Sequence, residues 1–373
     1  MRRSLTMLTL TLAGLLAGCT KATEPEPEDP GEMAELVLVG GAGDQSAYAT
    51  ALDGPTLYVS GPGILIRFDL SSASPAWIST AVGQRYEGVA AAGGSVFVAG
   101  RATAGRSATP GACGATDDVG SIEEKSLAGV YNAAGSLGRC ESQVLYPYSG
   151  FEFYHAAATA GGEFFAGGRA QQGGSANAFP FVLARYDADA MFQAATTEPD
   201  LVFGSTTGCC TGVSEVWALG TIGSDLLAAG ASRLPGSGED DVLRPMVMRY
   251  TTALDRVWKG RSTDREGRFL DADEVGGAVY AVGESTASGT IPLVEKYSAS
   301  GVRQWSVEPL SRQGSFTGVA GIGSRVFVVG TIPDGDLGGS DAVVLELDPS
   351  DGSTLDTIWV GAGGTTRPSE SLG

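Results

Sequence analysis

Val279-Tyr280-Ala281-Val282-Gly283 and Val326-Phe327-Val328-Val329-Gly330 are two copies of one unit, a short β-rich run closed by glycine. Four more copies stand upstream: Leu57-Tyr58-Val59-Ser60-Gly61, Val96-Phe97-Val98-Ala99-Gly100, Phe164-Phe165-Ala166-Gly167 and Leu226-Leu227-Ala228-Ala229-Gly230. Six copies at intervals of roughly 40 to 70 residues mark an array. Ahead of the run lies a short strand and a tight turn, as in Ala47 to Leu52 before Asp53-Gly54, Val89 to Ala92 before Gly93-Gly94, and Phe316 to Ala320 before Gly323-Ser324. Beyond a variable loop comes an alternating strand: Ile64 to Asp69, Phe181 to Asp187, Met246 to Tyr250, Leu293 to Tyr297 and Val343 to Asp348. A fourth strand often carries tryptophan: Trp77, Trp258, Trp305 and Trp359. Four short antiparallel strands per unit, repeated around a ring, predict an all-β fold, a single β-propeller spanning residues 36–365.

The composition agrees. Glycine reaches 56 of 373 residues without a collagen-like period, which suits a β fold with many tight turns. The first three strand types occur six times. The outer type occurs seven times if both Leu36-Val37-Leu38-Val39 and Thr357-Ile358-Trp359-Val360 are counted. An extra outer strand at one end lets one terminus complete the blade of the other, so six blades are expected, with seven as the alternative.

Ser340-Asp341-Ala342-Val343-Val344-Leu345-Glu346-Leu347-Asp348-Pro349 is similar to the third strand of SBBP-type propeller repeats of secreted bacterial proteins, and Tyr280 to Ser285 resembles the strand before it. The resemblance spans about residues 36–365 and implies fold far more than function. The Gly-His and Trp-Asp signatures of WD40 blades are missing.

At the N-terminus, Met1-Arg2-Arg3 precedes an apolar run from Leu5 to Leu16 and then Leu16-Ala17-Gly18-Cys19. A basic start, a short apolar stretch and small residues before a cut site read as a secretory signal, residues 1–18, too short to span a bilayer. The tetrad resembles the lipobox of bacterial lipoproteins, which implies acylation of Cys19 and several acyl chains holding the protein at a membrane. Thr20 to Gly31, TKATEPEPEDPG, is a Pro/Glu-rich tether that cannot bury apolar surface. Residues 19–35 are expected to be anchor and tether, and 366–373 a flexible tail. The predicted location is the cell envelope, at the outer membrane, facing periplasm or cell surface.

The formal charge is −19; without the signal, 22 basic residues face 43 acidic ones, a net charge of −21. A surface of that sign repels nucleic acid and anionic headgroups, so neither is expected as a partner. The segments between second and third strands vary most: Arg101 to Ser126, Arg169 to Pro180, Ala231 to Pro245 and Thr331 to Ser340. Strand parity puts them all on one face, the expected binding face. The loop Tyr146 to His155 shares that face and is dense in aromatics, making Tyr146, Tyr148, Phe151 and Glu152 candidate ligand contacts. The competing reading has Phe153 and Tyr154 starting the next inner strand.

Four further cysteines, Cys113, Cys140, Cys209 and Cys210, make an even set in an exported chain and suggest two disulfides. Cys113–Cys140 with a vicinal Cys209–Cys210 bridge is favoured, although the other two pairings stay open. Cys140 is expected to begin an outer strand at the face opposite the other three, so the 101–126 insert would drape down the blade edge. No catalytic constellation is legible: His155 is the single histidine, and no nucleophile elbow or phosphate loop occurs. Asp334, Asp336 and Asp341 are the calcium candidates, with acidic turn residues the plainer reading. Glu239-Asp240-Asp241 reads as a solvated loop tip, and no cofactor is expected. The sequence therefore predicts a monomeric, non-catalytic module for an envelope protein or glycan. The alternative is a polysaccharide hydrolase or lyase with carboxylates at the central channel.

Overall fold

The computed structural model describes residues 47–72, 74–81, 84–103, 124–143, 149–172, 181–197, 214–232, 242–334, 339–360 and 366–367. They form six antiparallel sheets, each from one contiguous stretch of chain and each with consecutive strands adjacent, arranged as a six-bladed β-propeller. Blade one is β1–β4 (Ala49–Asp53, Thr56–Gly61, Ile64–Asp69, Pro75–Thr80), and blade two is β5–β8 (Gln84–Ala92, Ser95–Thr103, Glu124–Tyr131, Leu137–Gln143). Blade three is β9–β12 (Ser149–Ala160, Glu163–Gln172, Phe181–Tyr186, Phe192–Thr197), and blade four is β13–β16 (Ser214–Ile222, Asp225–Ser232, Arg244–Tyr250, Arg256–Arg261). Blade five is β17–β20 (Gly267–Val275, Ala278–Ser285, Ile291–Ser298, Arg303–Val307). Blade six is β21–β25 (Ser315–Ile322, Arg325–Asp334, Gly339–Leu347, Thr354–Val360, Thr366–Arg367).

The core lies between blades rather than within them. In β18, Val279 and Ala281 pack on Leu227 and Ala229 of blade four, whereas Tyr280 and Val282 pack on Phe316, Val326 and Val328 of blade six. Successive side chains of a strand point to opposite faces. A second strand covered on both faces must therefore be apolar throughout, which explains its run of hydrophobic residues. Blade six differs: Val326, Val328, Val343 and Leu345 are fully buried against blade five, but Val329 on its other face is 41% exposed.

The repeat glycine answers to a bulge. Opposite Gly100, Gly230, Gly283 and Gly330 the first strand carries one extra residue, and a Cβ on these glycines would lie 1.9 to 2.2 Å from the carbonyl oxygen of Arg85, Glu215, Arg268 or Ser315. No side chain fits there. In blade three the bulge pairs Gly168, not Gly167, with Tyr154. The structural equivalent of the repeat glycine is thus one residue later than the sequence suggests, because Gly167-Gly168 offers two candidates.

A second device joins the outer strands. The indole N–H groups of Trp77, Trp258 and Trp305 donate to the carbonyls of Ala133 (3.0 Å), Ala299 (3.0 Å) and Pro349 (3.3 Å), each in the turn between third and fourth strands of the next blade. Gly135, Gly301 and Gly352 in those turns have φ of +78°, +82° and +79°, and a Cβ on any of them would meet the tryptophan ring at 2.7 to 2.9 Å. Where the preceding blade lacks tryptophan, the left-handed turn residue is not glycine: Ala190 in blade three and Leu254 in blade four. Tryptophan in one blade and glycine in the next form a single lock.

Two expectations need adjusting. Thr331 to Ser340 is mostly a paired hairpin, with Pro333 opposite Ser340 and Asp334 opposite Gly339, because β22 and β23 continue past the point where apolar alternation stops. Thr366–Arg367, assigned to the tail, pairs with Trp359 and Val360 as a fifth strand. Leu36 to Val39, the proposed closing strand, lies outside the described residues.

Candidate functional site

Each first strand begins, and each second strand ends, at one face, the face from which the chain leaves β6 at Thr103, β10 at Gln172 and β14 at Ser232. Three backbone positions recur there in each bulged blade: the residue before the bulge pair, the bulge residue, and the residue after the repeat glycine. The bulge residues are Glu87, His155, Trp217, Leu270 and Thr317. The backbone repeats around this inner rim, but its side chains do not.

In blade two, Arg85 and Arg101 lie directly opposite one another across the β5–β6 pair. Like charges so placed repel. Glu87 answers both, at 3.5 Å from the Arg85 guanidinium and 3.0 Å from that of Arg101. Arg85 also reaches into blade one, where it lies over the Tyr48 ring at 5.1 Å and donates to the Tyr48 hydroxyl. Arg169 of blade three meets Glu215 of blade four at 3.4 Å. Trp217 of blade four carries Arg268 of blade five over its ring at 4.9 Å, and Arg268 binds Glu284 at 2.9 Å. Four arginines and three glutamates thus form three groups, which cross the boundaries between blades one and two, three and four, and four and five. The glutamates are nearly buried, at 10 to 13% side-chain exposure, while the arginine side chains are 24 to 42% exposed. A strongly acidic protein here presents cations.

The carboxylates deeper on the inner strands are fasteners. Asp53 accepts from the Gly94 N–H of blade two at 2.8 Å, and Asp271 accepts from the Val319 N–H of blade six at 2.9 Å. Burial pushes the Asp271 carboxyl up to about 6, against the hydrogen bonds it accepts, and raises Asp273 beside it for the same reason. A separate cluster sits between blades four and five. Fully buried Glu295 accepts from the Tyr297 hydroxyl, Ser262 (2.9 Å), Ser306 (3.0 Å) and Arg303 (3.2 Å), and Arg303 also holds Asp264. These bonds staple the residues that follow β16 to blade five.

The candidates read from sequence fare differently. Cys19, Cys113, Tyr146, Tyr148, Cys209, Cys210 and Asp336 lie outside the described residues. Phe151 and Glu152 belong to β9, which starts at Ser149, so the aromatic stretch is inner strand from that residue on. His155 is the bulge residue of β9. Cys140 is in the middle of outer strand β8, opposite Gly129. Asp334 ends β22 and Asp341 lies in β23, opposite Ile332. Among the described residues no group of three His, Cys, Asp or Glu is placed to hold a metal ion. The rim arginines were missed because a repeat search looks for what recurs, and these side chains do not. The residue following each repeat glycine (Arg101, Arg169, Glu284) was the available signal.

No family model and no curated protein matches the chain, so the likeness to SBBP-type repeats rests on the strand motifs alone. Solved structures do match. A chain from the crystal structure of the mitotic checkpoint complex is 12% identical, with a TM-score of 0.54 over 92% of this chain and 88% of that one. At that identity the likeness concerns the fold only.

Proposed function

We propose that this protein is a non-catalytic, monomeric binding or scaffold module of the bacterial cell envelope, exported, held at the outer membrane by lipid on Cys19, and presenting its loop-rich face to a protein or glycan. The observation that carries the reading is the inner rim: recurrent positions at and beside the bulges bear non-recurrent arginine, glutamate and aromatic side chains on the face where the second strands end. Scaffold-held positions with varied chemistry suit recognition. The alternative of a polysaccharide hydrolase or lyase calls for carboxylates converging on substrate. Among the described residues, Asp53 and Asp271 are tied to the next blade and Glu87, Glu215 and Glu284 to arginine, which favours binding. Staples between Cys113 and Cys140 and between Cys209 and Cys210 would fix two of the long segments.

Two measurements test the reading. Metabolic labelling with a radioactive fatty acid should mark the wild-type chain and not Cys19→Ser, and Cys19→Ser should leave the membrane fraction; equal membrane retention overturns the anchor. Replacing segments 104–123 and 233–241 by short Gly/Ser linkers should abolish capture of the partner on a glycan array or from envelope extract while the fold is kept. Unchanged capture overturns the binding face.

A further inference from the structure

We propose that the apolar run Leu36–Val39 docks at the seam between blades six and one, as a strand added to the outer edge of β4. The seam differs from the other five blade boundaries. Each of those holds an apolar cluster shared by two blades, and the inner strands pack on one another in turn from β1 to β21. Among the described residues no cluster joins blade six to blade one, and β21 and β1 make no comparable contact. The tryptophan–glycine lock is missing there as well. Trp77, Trp258 and Trp305 stand opposite Arg67, Arg249 and Lys296 of the third strands, whereas the same place in blade six, opposite Glu346, holds Asp356. Trp359 stands opposite Val343 and packs on the blade-five side. The turn of blade one that would receive a tryptophan, between Asp69 and Pro75, contains no glycine.

Both walls of the seam are nonetheless apolar. Leu52 and Ile78 stand opposite Leu57 and Ile66 of the blade-one cluster, on the side away from blade two. On blade six, Val329, Val344 and Ile358 form a row across β22, β23 and β24 on the side away from blade five, with Ile322 nearer the β21–β22 turn. Leu52, Ile78, Ile322, Val329 and Ile358 are 41 to 58% exposed. They make up five of the ten large apolar side chains exposed among the described residues, and such a gathering marks a docking surface.

The occupant follows from three features. Ala47, the first described residue, packs on the blade-one cluster, and the Tyr48 N–H donates to the Ser60 carbonyl at 2.8 Å, so the preceding chain enters at the seam. Residues 40–46, GGAGDQS, reach about 25 Å when extended. That exceeds the four strand spacings, about 19 Å, from β1 to a strand beyond β4. Leu36-Val37-Leu38-Val39 is apolar at every position, as a strand covered on both faces requires. The outer place in blade six is already taken, since β24 fills the edge of β23 and β25 the end of β24, whereas β4 has a free outer edge among the described residues. On that edge the run pairs its main chain and sets alternate side chains beside Ile78.

The test uses the full chain. A photo-crosslinking residue in place of Leu38 should join residues 75–80 of the same chain, as mapped by mass spectrometry. In Leu36→Asp/Leu38→Asp, amide exchange of β4 should quicken by about tenfold or more, while β10 and β14 exchange as in the wild type. Should the double variant unfold altogether, the crosslink on the otherwise wild-type chain decides. Crosslinks between two chains, crosslinks only to β24 or to another blade boundary, or unchanged exchange of β4 in the variant overturns the proposal. The first of these outcomes would assign the seam to a second copy of the chain.

Discussion

Asp271 shows how a single carboxylate can hold a joint and weaken it at the same time. Its side chain accepts the Val319 N–H and ties blade five to blade six, but burial lifts its carboxyl from 3.8 to about 6. Between those two values the folded chain holds more protons than the unfolded one. Stability therefore falls as pH rises through that window, and the ionised form is carried at neutral pH at a cost on the order of 3 kcal/mol. Asp271→Asn keeps an oxygen for Val319 and removes the charge. Chemical denaturation should find the variant more stable than wild type at pH 8, by up to a few kcal/mol, and equal to it near pH 4. The slope between pH 4 and 6 should shrink to what Asp273 contributes. A variant less stable at pH 8 would mean that the ionised carboxylate is satisfied in place.

At the scale of elements, the tryptophan–glycine lock makes two residues on different blades act as one. Gly301→Ala alone forces a Cβ to within 2.7 Å of the Trp258 ring and adds strain from a φ of +82°, so a loss of roughly 2 to 4 kcal/mol is expected. In a Trp258→Ala background the collision is gone, and the same substitution should cost only about 1 kcal/mol, as Ala190 already tolerates a positive φ. A double-mutant cycle should then give a coupling of about 1 to 3 kcal/mol, and additive losses would refute the lock. The Glu295 staple gives a contrasting case. Arg303→Met takes the cation from a fully buried carboxylate and should cost roughly 2 to 4 kcal/mol, less than for a wholly buried pair because the arginine side chain is 30% exposed. Asp264→Asn, at a side chain 56% exposed, should cost under about 1 kcal/mol in the same denaturation experiment. These elements also mark how far the sequence could be read. Strand types, blade number and the tryptophans of the fourth strands were legible, since burial between blades forces the same apolar run at each turn of the ring. The bulge was not, because one extra residue in a strand leaves no compositional trace; its absence from the reading shifted blade three by a residue and hid the rim. The Glu295 cluster was equally silent, assembled as it is from Ser262, Glu295, Arg303 and Ser306 on strands and loops of two blades.

Considered as a whole molecule, the propeller is a row of interblade cores whose two ends differ from its middle. Blades two to five have both faces of the second strand covered, and every residue from Leu226 to Ser232 is buried. Blade one turns a cluster of only four buried residues, Leu57, Val59, Ile66 and Phe68, away from blade two, and its first strand exposes Leu52 to 55%. Blade six leaves Val329 and Ile322 exposed on its far side. Local stability follows buried apolar contact, and segments with less of it open more readily. Amide exchange on the unliganded chain should thus be slowest in β10, β14 and β18, faster in β22, and fastest among inner strands in β1 and β21. Leu345→Ala, on the covered face of blade six, should cost about 2 to 5 kcal/mol, whereas Val329→Ser should stay within about 0.5 kcal/mol. Uniform protection across all six inner strands, or a large loss at Val329, would mean instead that the first and last blades are sealed against each other as tightly as any other pair.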